Sequence, residues 1–108
     1  MTLNDVMDNI IDEAFNAAKE AEKQFREAHG EPWYCGFAWV NITPGNCKMA
    51  NRLKKRNLAS KSYSGGIDVW NPGGSFTQSM DIKEEGARAF AEVMRKYGIK
   101  ASAQSRAD

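Results

Sequence analysis

The stretch from Asp81 to Gly98, DIKEEGARAFAEVMRKYG, constrains the fold more than any other part of the chain. Ile82, Gly86, Ala89, Phe90, Val93 and Tyr97 fall on the three- and four-residue spacing of one helical face. Asp81 suits the N-cap, and Glu84 stands three residues later, where a capping-box acid belongs. Arg95 and Lys96 occupy the last turn, where the negative end of the helix dipole favours cations, and Gly98 supplies a left-handed stop. A helix bounded this clearly, with strand-like segments on both sides, is a crossover between two strands. Its one odd choice is Gly86 on the inner face, since a mid-helix glycine costs about 1 kcal/mol relative to alanine. That choice predicts a close approach to the sheet, near Gly36.

The rest of the chain supplies elements for such a crossover to connect. Leu3 to Ala28 reads as a long helix, with Thr2 or Asn4 as cap. Met7, Ile11, Ala14, Ala18, Ala21, Phe25 and Ala28 repeat at alternating spacings of four and three, a heptad seam. The seam has two readings. It packs on the chain's own core, or it meets a second copy or a host protein in a helix–helix contact. Trp33 to Thr43 (WYCGFAWVNIT) is dense in aromatic and β-branched residues and reads as a strand whose two faces are both largely apolar. Such a strand is either covered on both sides or exposes aromatics to a ligand. Asn46 to Asn57 reads as a short helix with Asn46 as cap and Met49 and Leu53 inward. Leu58 to Ser64 reads as a polar link, and Gly66 to Trp70 as a short strand. Asn71-Pro72-Gly73-Gly74 is a strong turn signal, so Ser75 to Met80 is expected to return as the second arm of a hairpin. Ile99 to Ser105 alternates and closes the series as an edge strand.

The expected fold is therefore α+β: a long N-terminal helix over residues 1–30, then a ferredoxin-like β-α-β-β-α-β arrangement over 33–105 with a mainly antiparallel sheet. At 108 residues this is one domain. No apolar run approaches the ~20 residues needed to span a bilayer, and the acidic start lacks the basic region of a secretory signal. Two cysteines without an export signal are expected to be reduced thiols. These features point to a cytoplasmic protein with no membrane partner.

A net charge of +1 conceals a strong asymmetry. Residues 1–32 carry eight acids against three bases. Residues 33–66 carry Lys48, Arg52, Lys54, Lys55, Arg56 and Lys61 and no acid. Charge blocks of this kind report partners, or one segment neutralising another. With Trp39 and Tyr63 near the block, it suits a phosphate backbone with some base stacking, so nucleic acid or another polyanion is the expected partner. The competing reading sets the acidic first helix against the block.

Catalytic chemistry finds no constellation. One histidine, His29, and two cysteines twelve residues apart do not make a metal site. Asp68 and Asp81 are acids without a visible partner base. The NPGGS turn lacks both the Walker and the GxGxxG pattern. No cofactor is implied, and a binding protein is expected rather than an enzyme.

Several segments resemble a family of small proteins found in tailed-bacteriophage genomes. They are Gly36-Phe37-Ala38-Trp39-Val40, Trp70-Asn71-Pro72-Gly73-Gly74, and Gln78-Ser79-Met80-Asp81-Ile82-Lys83. Gly86-Ala87-Arg88-Ala89-Phe90-Ala91, Tyr97-Gly98-Ile99 and the closing Ser105-Arg106 complete the set. The resemblance spans roughly residues 33–108 and implies a phage-encoded accessory protein acting by binding in the cytoplasm of a bacterial host. It transfers no functional residue.

Overall fold

The computed structural model describes residues 2–75, 77 and 79–107. In chain order the elements are α1 (Leu3–His29), β1 (Gly36–Thr43), α2 (Lys48–Lys55), β2 (Ser60–Lys61), β3 (Ile67–Trp70), α3 (Met80–Lys96) and β4 (Lys100–Ala107). The four strands form one antiparallel sheet in the order β2-β3-β1-β4, so the chain is α+β with a long N-terminal helix.

Local chemistry explains the ends of these elements. Thr2 caps α1 in a reciprocal box with Asp5, and each donates to the other at 3.1 Å. Gly30 ends that helix with φ 71°, and Gly98 follows α3 with φ 82°. Two expected caps shift by a residue or two. Cys47, not Asn46, caps α2, its sulfur accepting from the Ala50 N–H. Ser79, not Asp81, precedes α3, and Asp81 instead sits in the first turn, where the dipole still favours it.

The hairpin differs from the expected one. β3 turns back on β2, with Ser60 opposite Asp68 and Lys61 opposite Ile67, so the segment read as a polar link carries a strand. The expected return arm, Ser75 to Met80, includes Phe76 and Gln78, which lie outside the described residues. Of its other members, Ser79 makes an isolated bridge to Cys35 and Met80 already opens α3. The reason is the turn. Asn71 donates its backbone N–H to Ala38 and Gly74 donates to Asn71, so the chain remains tied to β1 after β3 ends.

All three helices bury residues in one core with one face of the sheet. Ala38, Val40 and Ile42 of β1, Ile67 and Val69 of β3 and Ala101 of β4 point into it. α3 lies on β1 and β4, and α1 packs most extensively on α3. Phe90 is fully buried at the centre, with the Phe15 ring edge-on at 5.0 Å. Ion pairing adds a clasp between the two helices: Glu13 meets Lys96 and accepts from the Tyr97 hydroxyl at 2.6 Å. The Lys96 hydrogen bond, then that of Tyr97, holds the Glu13 carboxyl below its ordinary range.

The heptad seam is filled from within. Met7, Ile11, Ala14 and Ala18 are buried by the chain itself, while Ala21 and Phe25 are half-buried. A second copy would therefore meet α1 on another surface, because these four side chains already face α3 and the rest of the core.

Gly86 is buried as expected, but its neighbour is not Gly36. A Cβ at Gly86 would overlap the Glu22 carboxyl of α1, with Glu22 Cγ at 2.9 Å. Gly36 instead faces Met80 and the Arg106 carbonyl, each 2.6 Å from where its Cβ would be. Gly86→Leu should therefore push α1 off α3. A net loss of about 2 kcal/mol is expected even after the gain in helix propensity. An unchanged melting temperature would show that α1 and α3 do not approach as described.

Candidate nucleic-acid interface

Strand alternation puts two different surfaces on the sheet. The inward row of β1 is small and aliphatic, and the outward row is Phe37, Trp39, Asn41 and Thr43. Trp39 stands opposite Trp70 of β3 and opposite Gln104 of β4. Phe37 stands opposite Arg106, and Thr43 opposite Lys100. Among the described residues no helix lies over this face, and all three helices contribute to the core on the other one.

The outward row is organised. The Trp39 and Trp70 rings stack with centroids 5.4 Å apart and planes 12° apart. The Phe37 ring lies 5.6 Å from that of Trp70, tilted by 33°. The result is a continuous aromatic platform across the two central strands. Trp70 remains 56% exposed, so stacking on its neighbour leaves its ring accessible. Trp39 is held by its indole N–H, which donates to Gln104 Oε1 at 3.0 Å. Phe37 is flanked by cations: the Lys83 ammonium lies 5.1 Å and the Arg106 guanidinium 5.9 Å from its centroid. The face's acid, Asp68, accepts from the Asn41 side chain at 3.0 Å. Lys100 and Arg106 are exposed on the same face.

The basic block sits elsewhere. α2 belongs to the helical layer, and its buried Met49, Ala50 and Leu53 join the core. Arg52 makes a two-pronged contact with Asp8 of α1, both bonds 2.8 Å, and Arg56 adds a third at 3.2 Å. The Arg52 hydrogen bond is the main reason that the Asp8 carboxyl titrates below its ordinary range. The acidic helix thus neutralises part of the block, one of the two readings that the charge pattern left open. Lys54 donates to the Gly45 carbonyl at 2.7 Å. Lys48, Lys55 and Lys61 are exposed and have no ion pair among the described residues.

Comparison with known proteins finds no family model, no curated protein and no solved structure that matches this chain.

Of the expected binding residues, Trp39 is on the platform, and Tyr63 is fully exposed in the loop between β2 and β3. The six cations are not gathered with Trp39, since the sheet stands between α2 and the platform. Reading the sequence for cations missed Phe37, Trp70, Lys100, Gln104 and Arg106. A usable signal was present: Phe37 and Trp39 share parity on a strand whose other parity is already apolar enough to form a core face. Among the described residues no group of three histidine, cysteine or acidic side chains forms a metal site. No helix among them is long and apolar enough to cross a membrane.

Proposed function

We propose that this chain is a ferredoxin-like module that binds single-stranded nucleic acid on its open sheet face. The succession of helices and strands after α1, with β1 and β3 at the centre of the sheet, supports the first part. The platform of Phe37, Trp70 and Trp39 carries the second. Aromatic rings on a four-stranded sheet stack unpaired bases in RNA-recognition modules, and the comparison is an analogy of site chemistry. Duplex bases are stacked on one another and cannot reach a flat sheet, so a single strand fits this surface. Arg106 and Lys100, both exposed, serve the phosphates. Gln104 and Ser102 offer polar side chains beside the rings.

The cations of α2 take a secondary part in this proposal. Lys48, Lys55 and Lys61 contribute long-range attraction, whereas Arg52 and Arg56 hold α1 in place through Asp8. The proposal also takes the resemblance to phage proteins as support for an accessory binder acting in a bacterial host.

Anisotropy titrations with single strands of about ten nucleotides and with matched duplexes test the proposal. Single strands should bind more tightly, with affinity falling steeply as salt rises. Trp70→Ala should weaken binding about tenfold or more, because stacking on one aromatic contributes ~1–3 kcal/mol per base. The fold should survive, since the ring is exposed. No binding at low salt, or binding indifferent to Trp70→Ala and Arg106→Ala, would overturn it.

A further inference from the structure

Behind the platform lies a buried acid that the binding face does not use. Glu22 projects from α1 and is only 3% exposed. Its carboxyl occupies a slot between the backbones of Gly73 and Gly86, and a Cβ on either glycine would overlap it. Both residues are small because this side chain needs the space. Glu22 Oε2 has no hydrogen-bond partner among the described residues, and Asn71 Oδ1, at the start of the same turn, is likewise buried and unpartnered.

The charged groups around the slot are engaged elsewhere. On α1, Arg26 pairs with Glu31 at 3.2 Å and donates to Ser75 Oγ at 2.9 Å. On α3, the buried Lys83 donates to the Gly36 carbonyl at 3.0 Å. Lys19 and Lys23 line the outer cleft, which Ser75 and Thr77 close from the other side. The turn from Asn71 to Ser75 brings no charge of its own. An ionised carboxylate in the slot is therefore desolvated and lacks a donor, whereas a neutral carboxyl packs there without that penalty.

We propose that Glu22 is a protonation-controlled latch on the Asn71–Ser75 turn. When neutral, its carboxyl fills the slot and the turn packs down on α1 and α3. When ionised, it leaves the slot for the cations of the outer cleft and water, and the turn lifts on the side of Gly73. Desolvation by burial raises the Glu22 acid to about 7, with Arg26 and then Lys83 opposing, so the change falls in the physiological range. Trp70 directly precedes Asn71, so the latch also sets how firmly that ring is seated. This last consequence rests on the nucleic-acid reading; the latch itself does not.

Hydrogen exchange read by mass spectrometry, corrected for intrinsic rates, tests the latch without any ligand. Protection of the Gly73–Ser75 amides in the wild-type protein should fall about tenfold or more between pH 5.5 and pH 8, as linkage to one raised carboxyl requires. Glu22→Gln keeps the shape and cannot ionise, so its protection should be the same at both values. A wild-type turn equally protected at both pH values would overturn the proposal, and this arm needs no variant to fold. An identical pH trend in Glu22→Gln would overturn it as well. Oligonucleotide binding measured alongside separates the two ideas: protection that changes in a protein that binds no single strand leaves the latch standing and removes only its consequence for Trp70.

Discussion

Phe90→Ala should lower the folding stability by about 3–5 kcal/mol, the usual range for deleting a buried aromatic ring. The side chain is fully enclosed, and its ring meets Phe15 edge-on at 5.0 Å. It sits in the core where α1, α3 and the sheet converge, so all three lose contact together. Collapse around the void is restricted, because α3 is held on α1 by the Glu13–Lys96 pair and on β4 by Arg95 donating to the Ala101 carbonyl at 2.8 Å. The loss is large against the 5–15 kcal/mol by which ordinary domains are stable. For a chain of this size the midpoint of thermal unfolding should fall by roughly 15 °C or more. Urea denaturation at fixed pH checks it; a loss below about 1 kcal/mol would mean that Phe90 does not occupy the centre of the core.

Glu22 should make this protein less stable as the pH rises, the reverse of what most paired carboxylates do. Its acid lies at about 7 in the folded chain against 4.5 for an ordinary glutamate. Below the lower value both states hold the proton and Glu22 contributes no penalty. Between the two the folded state holds more protons than the unfolded state, so stability falls as pH rises. Above about 7 the penalty is complete. One pKa unit corresponds to 1.36 kcal/mol, so the full loss is on the order of 3 kcal/mol. Asp8 and Glu13 move the other way, since their folded acids are lowered by Arg52 and by Lys96. Their stabilisation is present above the ordinary carboxylate range and is lost only as pH falls through their lowered folded values. The window above the ordinary carboxylate range therefore isolates Glu22. Glu22→Gln should flatten the profile there and be the more stable protein at pH 8. Denaturation curves at pH 5 and pH 8 decide it, and a wild-type profile that rises or stays level across this window would contradict the buried-acid geometry.

Much of the fold could be read locally. Of the six residues whose spacing located α3, Ile82, Gly86, Phe90 and Val93 are buried, Ala89 is half-buried and Tyr97 is exposed. The Thr2–Asp5 box opened α1, and Gly30 and Gly98 closed their helices. The β-branched and aromatic run that became β1 was legible because its residue types favour extended backbone. The hairpin was misplaced for a reason that is also local in origin. Asn71-Pro72-Gly73-Gly74 has strong turn chemistry, but here the turn leads toward α3. β3 finds its hairpin partner in Ser60 and Lys61, residues with little strand character of their own.

The site was legible only in its ingredients. Cations and aromatics were visible as residue types, but the sequence did not say which share a surface. Arg52 could be counted as a free cation until folding brought Asp8, forty-four positions away, within 2.8 Å. Trp39 and Trp70 become one platform only through the β1–β3 register. Gly86 was expected to approach the sheet near Gly36, and what it makes room for is a glutamate from another helix.

The Asp81–Gly98 stretch marks the division. The sequence by itself determined that it is a helix, where it stops and which side is apolar, because those properties depend on neighbours within a turn or two of chain. Tertiary structure alone decided what that helix packs against, which face of the sheet stays open and where the buried acid rests. Those outcomes depend on strand register and on contacts between residues far apart in sequence, where burial and desolvation act on whatever the fold brings together.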